Sequence, residues 1–261
     1  MFKNKVIKEM QMDSMKKRRA QFMRILFLSL GLLFIFCAAG YGEEKPSYLL
    51  KKNVLGFKLG YHFFESSDFT DFWGIDEEDL DSFAFELAYE RKIIPTLGIE
   101  LSLGHFKSDE TYHDVLFVDD SSKIEFENYY LSPSLKYYIP VTKAFLFYLG
   151  GGPDLYYTKY DYKYKCKIFG LPYSYHASDN FFTFGLHGLA GIEWYFIKYP
   201  AKSGLHDIPV SLVFEYKYSW VEIKDADEEV IDDLNSLGLN LSRNDLDVGG
   251  HMAFIGLRWH F

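Results

Sequence analysis

The amino-acid sequence predicts an all-β fold, an eight-stranded antiparallel up-and-down transmembrane β-barrel with long extracellular loops. Two observations predict this fold class. Phe, Tyr and Trp make up 19% of the 261 residues, which is more than a soluble core uses but typical of side chains that face lipid and form interfacial girdles. In addition, eight segments alternate apolar residues with small or polar ones at a period of two, which is the period of a strand.

The end of the chain shows the alternation most clearly. Counting back from Phe261, every second residue as far as Ala253 is apolar, and Arg258 lies among the residues between them. Chain ends fray unless they are tied down. The last strand of a closed barrel is tied down because it pairs with the first. The segment 252–261 is therefore the predicted closing strand.

The first three predicted strands, residues 55–63, 83–90 and 97–104, place large apolar residues at odd positions and Gly, Ala or charged residues at even positions. Between the first two strands, residues 65–81 contain Asp and Glu but no Lys or Arg. This composition predicts a solvated loop. The connection to the third strand is short and contains Pro95, which is typical of a turn.

The next two predicted strands, residues 124–138 and 145–157, follow a polar segment at 107–123 and precede a Lys-rich one. Pro133 interrupts the first of these strands. Since a closed barrel has no free edge and Pro cannot donate to the ladder, we expect a β-bulge at this position.

The remaining predicted strands are residues 182–196, 210–220 and 252–261. The acidic loop 222–245 precedes the last strand, and residues 228–237 within it predict one or two helical turns. Short connections follow even-numbered strands and long connections follow odd-numbered ones. This asymmetry places both chain ends and the short turns on the inner side of the membrane, and four long loops outside.

Residues 1–42 have the three parts of a secretory signal peptide: a basic cluster, an apolar run at 25–36 and small residues up to Gly42. The apolar run is shorter than the ~20 residues that a spanning helix needs, so we expect its removal and a mature barrel domain of residues 43–261. Removing eight basic and two acidic residues changes the formal net charge from −9 to −15, which argues against nucleic acid as a partner. Only Cys166 then remains, so an intrachain disulfide is excluded.

The apolar face is predicted to point outwards. A soluble lipocalin-like ligand-binding barrel has the same alternation but turns its apolar face inwards. Here that face carries roughly five large side chains per strand, which is too much volume for the interior of eight strands. The opposite face is Gly, Ala and Ser with scattered charges, so the bulky side chains belong in lipid.

The inward face carries a set of charged residues that we interpret as a structural network, because charges inside a narrow barrel are costly unless they are paired. The alternative is a narrow, porin-like pore for small solutes, with a mild preference for cations. The network comprises Lys58, Glu86, Glu90, Glu100, Lys136, Glu193, Glu215, Lys217 and Arg258, with Asp154, His62 and His187 on the same face. Four inward tyrosines would obstruct a pore: Tyr130, Tyr148, Tyr156 and Tyr195.

Catalytic motifs are weak. Gly150–Gly152 lacks the Lys-Ser/Thr that follows a phosphate-binding loop. The pair His176 and Ser178 superficially resembles the His-x-Ser pair of outer-membrane lipid A deacylases, in which His activates a Ser nucleophile. Here it falls in the predicted loop before the sixth strand, whereas that family carries the pair within a later strand. We therefore expect a protein that is not an enzyme and uses no cofactor or metal, and a lipid A-modifying esterase is the alternative.

The Lys-rich segment is a candidate binding surface. Its lysines alternate with tyrosines and are Lys159, Lys163, Lys165 and Lys167. One interpretation is ordinary solvation on strands that extend past the membrane. The other is contact with the phosphates of lipopolysaccharide, while the acidic loops hold divalent cations or a cell-surface partner.

Over residues 43–261 the chain resembles the small eight-stranded bacterial outer-membrane β-barrels, typified by the OmpA membrane domain, OmpX and OmpW. The resemblance rests on the strand count, the alternation and the terminal Phe261 with Leu257 and Trp259 before it. It implies a place in the bacterial outer membrane after export, contact with outer-membrane lipid and lipopolysaccharide, and recognition of Phe261, Trp259 and Leu257 by the barrel-assembly machinery. The expected role of the monomer is structural or surface-interacting.

Overall fold

The structure, a computed structural model, describes residues 51–73, 80–113, 121–142, 144–168, 171–197, 209–226, 228–236 and 242–261. The predicted signal peptide, residues 1–42, lies outside these residues. Residues 45–140 and 144–261 belong to one compact unit, which is described below. Within the described ranges, no helix has the length and apolarity needed to cross a membrane.

Eight antiparallel strands form a closed barrel, which confirms the predicted fold. They are β1 (Asn53–Phe63), β2 (Ser82–Ile94), β3 (Leu97–His113), β4 (Ser121–Pro140), β5 (Phe145–Ile168), β6 (Leu171–Ile197), β7 (Val210–Trp220) and β10 (Gly250–His260). Sequential strands are neighbours, and β10 closes the barrel on β1, with Leu257 opposite Phe57.

Short elements lie in the connections. A two-stranded ribbon of β8 (Glu222–Ile223) and β9 (Leu246–Asp247) precedes β10. Helix α1 (Asp68–Trp73) follows β1, and its N-terminus is capped reciprocally by Ser67 and Thr70, each donating its backbone N–H to the other's hydroxyl. Helix α2 (Glu228–Ser236) confirms the helical turns expected in the acidic loop.

Strands β3 to β6 project beyond the rest of the barrel as a four-stranded sheet, which we call the projecting sheet. The Lys-rich segment is not a loop, because β5 runs on to Ile168 and β6 begins at Leu171. The alternation of Lys and Tyr continues the period of two, so the tyrosines Tyr160, Tyr162 and Tyr164 are buried on the inner face while Lys159, Lys163 and Lys165 point outwards.

The expected bulge at Pro133 is wrong. Leu131 faces Leu155 and Leu135 faces Gly151, so the β4–β5 register is the same on both sides of the proline. No residue is inserted, because Pro133 meets a second proline, Pro153, which also lacks an N–H to donate. Register shifts occur elsewhere, between Lys92 and Ile94 and between Tyr195 and Ile197.

The bulky apolar side chains point outwards, as predicted, and this arrangement contradicts a lipocalin-like interior. Phe83 is 84% exposed and Phe184 75%. The outward face also includes Phe57, Leu59, Phe85, Leu87, Leu101, Leu103, Leu135, Phe214 and Ile255. Four ring side chains that are neighbours across β3 to β6 form the upper border of this apolar band, namely His105, Tyr129, Tyr157 and Phe182.

Candidate functional site

The centre of the barrel holds two lysines among three glutamates. The Lys58 Nζ contacts Glu86 and lies 2.6 Å from Glu215 Oε1 and 3.4 Å from Glu100 Oε1. The Lys136 Nζ lies 2.6 Å from Glu100 Oε1 and 2.8 Å from Glu215 Oε2. The three carboxylates are close enough together to hold a metal ion. The two ammonium groups, however, already bind these oxygens and supply the compensating charge.

Arg258 connects this centre to the lower part of the interior. Its guanidinium contacts Glu90 and lies 3.1 Å from Glu100 Oε2 and 3.0 Å from Glu193 Oε2. The second oxygen of Glu193 lies 2.7 Å from His260 Nε2. One side chain from β10 therefore binds carboxylates of β2, β3 and β6, which fixes the relative positions of distant strands.

A third group lies towards the extracellular side. The Lys217 Nζ donates to Ser132 Oγ at 2.6 Å, lies 3.4 Å from Asp154 Oδ1, and sits 4.4 Å from the ring centroid of Tyr130. The His187 Nδ1 lies 2.9 Å from Asp154 Oδ1. The structure thus places all nine predicted network residues, together with Asp154, His62 and His187, in the interior, where each side chain is nearly or fully buried. The four predicted tyrosines are buried there too.

Lys92 and His260 are interior residues that the sequence analysis missed. The sequence predicts a short turn that includes Lys92, but β2 continues to Ile94 and keeps Lys92 on the same face as Glu90. Its Nζ lies 4.9 Å from the ring centroid of Tyr138. Lys92 has an even number, as Glu86 and Glu90 do, and in a strand this predicts that the three side chains lie on the same face. Among the described residues, six buried acids therefore face five lysines and arginines instead of four.

A hydrophobic cluster, which we call the loop cluster, fills the extracellular end of the interior. The inner face of the projecting sheet supplies Phe106 and Phe126, and helix α1 lays Phe69 against them, with the Phe69 and Phe126 ring centroids 6.0 Å apart. The β8–β9 ribbon adds Ile223 and Leu246. The full cluster includes Phe64, Phe69, Leu80, Ala84, Phe106, Ile124, Phe126, Tyr130, Tyr156, Tyr160, Tyr162, Tyr164, Ala177, Val221, Ile223, Ala226, Leu246, Val248, Met252 and Phe254. The loops predicted as simply solvated therefore cover the barrel interior.

The outer face of the projecting sheet carries ion pairs between strands and within β5. Across strands, the Nζ–carboxylate distances are 2.6 Å for Lys107–Glu125, 2.8 Å for Lys123–Asp109 and 3.2 Å for Lys159–Glu127. Within β5, the Lys163 Nζ lies 2.7 Å from Asp161 Oδ1. The hydroxyl of Tyr129 donates to Glu127 at 2.6 Å. This bond, with Lys159 and His105, lowers the pKa of Glu127 to about 2.

Three of the four predicted lysines have described side chains. Lys159, Lys163 and Lys165 are exposed on this outer face, in line along β5. Lys167 lies in β5, but its side chain falls outside the described residues. The structure therefore brings the lysines to one surface, just above the ring row that borders the apolar band.

His176 and Ser178 lie in β6, not in a loop as expected, and both are exposed on the outer face. The His176 Nε2 lies 2.8 Å from Asp161 Oδ2, and Asp161 is the register partner of Ser178. A serine nucleophile needs a His that hydrogen-bonds to it while an acid orients the His. Within the described part of the chain, no hydrogen bond joins His176 to Ser178.

The last residues of the chain lie on the lipid-facing surface. The backbone of Phe261 pairs with Asn53 in both directions, at 2.9 and 3.0 Å, and its side chain is 51% exposed. Leu257 points the same way, and Trp259 is half-buried on the same face. These three side chains therefore form a continuous apolar ridge on the closing strand.

Comparison with known proteins places this barrel in a family. No curated protein matches the chain. Among solved structures, the outer membrane protein OprG of Pseudomonas aeruginosa is 15% identical over 81% of this chain and 96% of that one, with a TM-score of 0.48. Neisserial surface protein A is 12% identical over 84% and 100%, with a TM-score of 0.42. The attachment invasion locus protein Ail of Yersinia pestis is 13% identical over 80% and 99%, with a TM-score of 0.37.

The family model named outer membrane protein beta-barrel domain matches residues 28–261. This range includes every strand of the barrel. The chain therefore belongs to the family of outer-membrane protein β-barrel domains.

Proposed function

We propose that this outer-membrane barrel neither conducts solutes nor catalyses a reaction, and that it presents the projecting sheet at the cell surface as an interaction platform. The observation that carries the proposal is the double closure of the interior. The ion-pair network fills the centre, and the loop cluster seals the extracellular end.

Both layers oppose the alternative of a narrow pore. A pore needs a continuous water-filled path, which larger barrels have and eight-stranded ones fill with side chains. Here the central Lys58 and Lys136 are about 1% exposed, and Phe106 and Phe126 above them are fully buried. Opening a water-filled path would require the central ion pairs to separate and the side chains of the loop cluster to move apart.

Planar bilayers test this part of the proposal. We expect the reconstituted protein to produce no discrete conductance steps at neutral pH, while a general porin in the same bilayers produces them. Discrete steps from the wild-type barrel would overturn the non-conducting function.

The absence of enzymatic activity is tested by lipid A deacylation. We expect the wild type and Ser178→Ala to be equally inactive, because His176 is directed at Asp161 rather than at Ser178. Deacylation that the wild type performs and Ser178→Ala loses would establish the esterase alternative instead.

Contact with lipopolysaccharide is part of the proposed platform. Lys159 lies two residues beyond Tyr157 of the ring row, next to the layer where phosphate-bearing headgroups are expected, and Lys163 and Lys165 lie further along β5 on the same outer face. Lys163 is already paired with Asp161, whereas Lys165 has no ion pair among the described side chains. At Lys165, a phosphate group would supply a negative partner without displacing one of the sheet's own carboxylates.

The experiment compares lipopolysaccharide retained by the purified barrel. We expect Lys159→Gln/Lys163→Gln/Lys165→Gln to retain at least severalfold less than the wild type. Lys224→Gln, which removes an exposed lysine from the β8–β9 connection, is the matched control and should retain as much as the wild type. Equal retention by the triple variant and the control would remove the lipopolysaccharide contact from the proposal.

The proposal also includes export of the chain and its assembly into the outer membrane. Residues 1–42 would direct export and be removed, and the ridge of Phe261, Trp259 and Leu257 would be read by the assembly machinery of the outer membrane. Amino-terminal sequencing of the mature protein tests the first step. A mature protein that still begins before residue 40 would contradict it.

A further inference from the structure

Three buried side chains in the barrel interior form a Ser–His–Asp relay. The Ser134 Oγ, on β4, is hydrogen-bonded to His187 Nε2, on β6, at 2.7 Å. The His187 Nδ1 lies 2.9 Å from Asp154 Oδ1, on β5, and no hydrogen bond to another described residue competes for this nitrogen. One ring nitrogen therefore meets a hydroxyl and the other a carboxylate, which is the order of groups that activates a serine as a nucleophile.

A glycine makes this arrangement possible. Strand β5 lies between Ser134 and His187, and its residue at this level is Gly152, which faces His187 in the register. Gly152 also lies against Ser134, since a Cβ added at Gly152 would be 3.3 Å from the Ser134 Cα. Because this position has no side chain, the imidazole has room to reach across a whole strand.

Asp154 is held in the position that orients His187. Ser132 donates to its Oδ1, and the Lys217 Nζ lies 3.4 Å from the same oxygen. The positive charge of Lys217 also compensates the buried carboxylate. The acid of the relay is therefore fixed by two partners besides the histidine.

A second group of serine, histidine and acid in the interior lacks the relay geometry. The His260 Nε2 lies 2.9 Å from Ser211 Oγ and 2.7 Å from Glu193 Oε1, while its Nδ1 has no hydrogen-bond partner in the described part of the chain. The same nitrogen faces both groups, so His260 cannot take the serine proton while the acid holds its other side. Ser211 is therefore a matched control for Ser134.

The barrel wall beside Ser134 is interrupted. Ser134 follows Pro133, and the β4–β5 ladder is broken between Leu131 and Leu135, where Pro133 meets Pro153. Neither proline has an N–H to donate, so local parting of the two strands at this point breaks no ladder bond. Leu135 belongs to the lipid-facing apolar band. A small apolar molecule dissolved in the bilayer can therefore reach the buried serine during such local openings.

We propose that Ser134 acts as an activated nucleophile and is acylated once by an ester dissolved in the membrane. In this reaction the Ser134 Oγ attacks the carbonyl carbon and forms a new C–O bond, while its proton moves to His187 Nε2. The original C–O bond of the ester then breaks, and the alcohol leaves with the proton from His187. The products are an ester of Ser134 and a free alcohol, so no oxidant or reductant is required.

The reaction should stop after one acylation. Ser134, His187 and Asp154 are all buried in the closed interior, which excludes the water that would hydrolyse the new ester. The inference therefore goes beyond the proposed function and is compatible with a barrel that does not turn over a substrate.

The experiment uses p-nitrophenyl octanoate, an apolar ester that enters the bilayer, and the barrel in nanodiscs. We expect the wild type to gain one octanoyl group in intact-protein mass spectrometry and to release one equivalent of p-nitrophenolate. Peptide mapping should place the group on Ser134. Ser134→Ala should gain no group at this position, whereas Ser211→Ala should be acylated as fast as the wild type.

Two further variants separate the chemistry from the access. His187→Gln cannot accept the serine proton, and we expect acylation of Ser134 to be at least about a hundredfold slower. Pro133→Ala/Pro153→Ala keeps the relay but adds a donor to each strand at the interruption, so acylation should be severalfold slower. Heat-modifiable gel mobility confirms that each variant is folded.

Four results would overturn the proposal. These are no acylation of Ser134 in the wild type, equal rates in the wild type and His187→Gln, equal rates in the wild type and the double-proline variant, and release of p-nitrophenolate that continues beyond one equivalent. The first three leave the proposed function standing, because bilayer conductance and lipopolysaccharide retention are measured without the ester.

Discussion

Pro133 on β4 lies directly opposite Pro153 on β5, at a position where each residue would donate to the other. The Tyr138 N–H donates to Thr96 O at 2.9 Å, so even-numbered residues of β4 bond to β3 and odd-numbered ones face β5. Neither proline has an N–H, and the β4–β5 ladder is interrupted between Leu131 and Leu135. The two strands still approach each other closely here. The space is so small that a Cβ added at Gly152 would overlap the carbonyl oxygen of Pro133.

Replacing both prolines should close this gap with little net change in stability. Pro133→Ala/Pro153→Ala adds two donors opposite two carbonyls, each new bond contributing about 0.5–1.5 kcal/mol. Each lost proline frees the unfolded chain by about 0.4–1 kcal/mol, so the two effects nearly cancel. We expect a free energy of unfolding within about 1 kcal/mol of the wild type and slow amide exchange at both alanines. Amide protons at 133 and 153 that exchange as fast as those of a loop would contradict the register.

Lys58 and Lys107 offer a matched comparison of buried and exposed ion pairs. Lys58→Met leaves Glu86, Glu100 and Glu215 close together with one cation fewer, and we expect a loss of about 3–5 kcal/mol in the free energy of unfolding. Lys107→Met removes an exposed partner of Glu125 and should cost less than about 1 kcal/mol. Urea unfolding followed by tryptophan fluorescence measures both. Adding Glu86→Gln to Lys58→Met should recover part of the loss, and equal effects of the two lysine variants would show that the interior charges are not coupled.

The face on which each interior charge lies could be predicted from the sequence, whereas its partners could not. Alternation with a period of two assigns Lys58, Glu90 and Arg258 to one face regardless of how the strands are staggered. Which acid meets which base depends on the stagger of the closed barrel, which alternation does not contain. Arg258 contacts Glu90 across 168 sequence positions and Glu193 across 65, and only the strand register of the folded barrel brings them together.

The ends of the strands are harder to predict from the sequence than their faces, for a physical reason. A high density of charge predicts a loop, but strands that rise above the membrane have water on their outer face and tolerate charge there. Lys159 and Lys163 therefore alternate with buried Tyr160 and Tyr162 inside β5. The same assumption fails for the loop cluster. The acidic neighbours of Phe69 predict a solvated loop, yet the side chain of Phe69 points inwards and packs in the cluster.

Phe261→Ala should slow assembly of the barrel without unfolding it. The backbone of Phe261 pairs with Asn53 whatever the side chain, and the ring is half exposed on the lipid-facing side. We expect delayed acquisition of heat-modifiable mobility in cells, but a free energy of unfolding in micelles within about 1 kcal/mol of the wild type. Val54→Ala, which truncates a buried side chain near the same seam, serves as the opposite control, with lower stability and normal assembly kinetics. Normal assembly of Phe261→Ala would remove this residue from the proposed signal.

Asp247 makes the β8–β9 ribbon sensitive to pH. Burial and the negative charges of Glu65 and Glu222 together raise the pKa of its carboxyl to about 6, although the backbone N–H of Gly249 opposes the shift by donating to Asp247 Oδ1 at 2.8 Å. Glu222 is the register partner of Asp247. The ribbon covers the interior through Ile223 and Leu246, so its stability controls how firmly the loop cluster is held.

The ribbon should be tighter in mild acid than at neutral pH. The folded pKa of Asp247 lies above the ordinary value of 3.8 for an aspartate, so the stabilisation is fully present below about pH 4 and is lost as the pH rises through about 6. The expected loss is on the order of 2 kcal/mol, reduced from the full shift because the side chain is partly exposed. Hydrogen exchange at Val248, whose N–H donates to Val221 O at 2.9 Å, measures the opening at pH 5 and pH 8 after correction for the intrinsic rate. Asp247→Asn keeps the acceptor for Gly249 but cannot ionise, so its corrected protection should be the same at both pH values and at pH 8 should exceed that of the wild type. Equal protection of the Val248 N–H at pH 5 and pH 8 in the wild type would show that the Asp247 carboxyl does not control the stability of the ribbon. The variant isolates this effect, since it differs from the wild type only in charge at position 247.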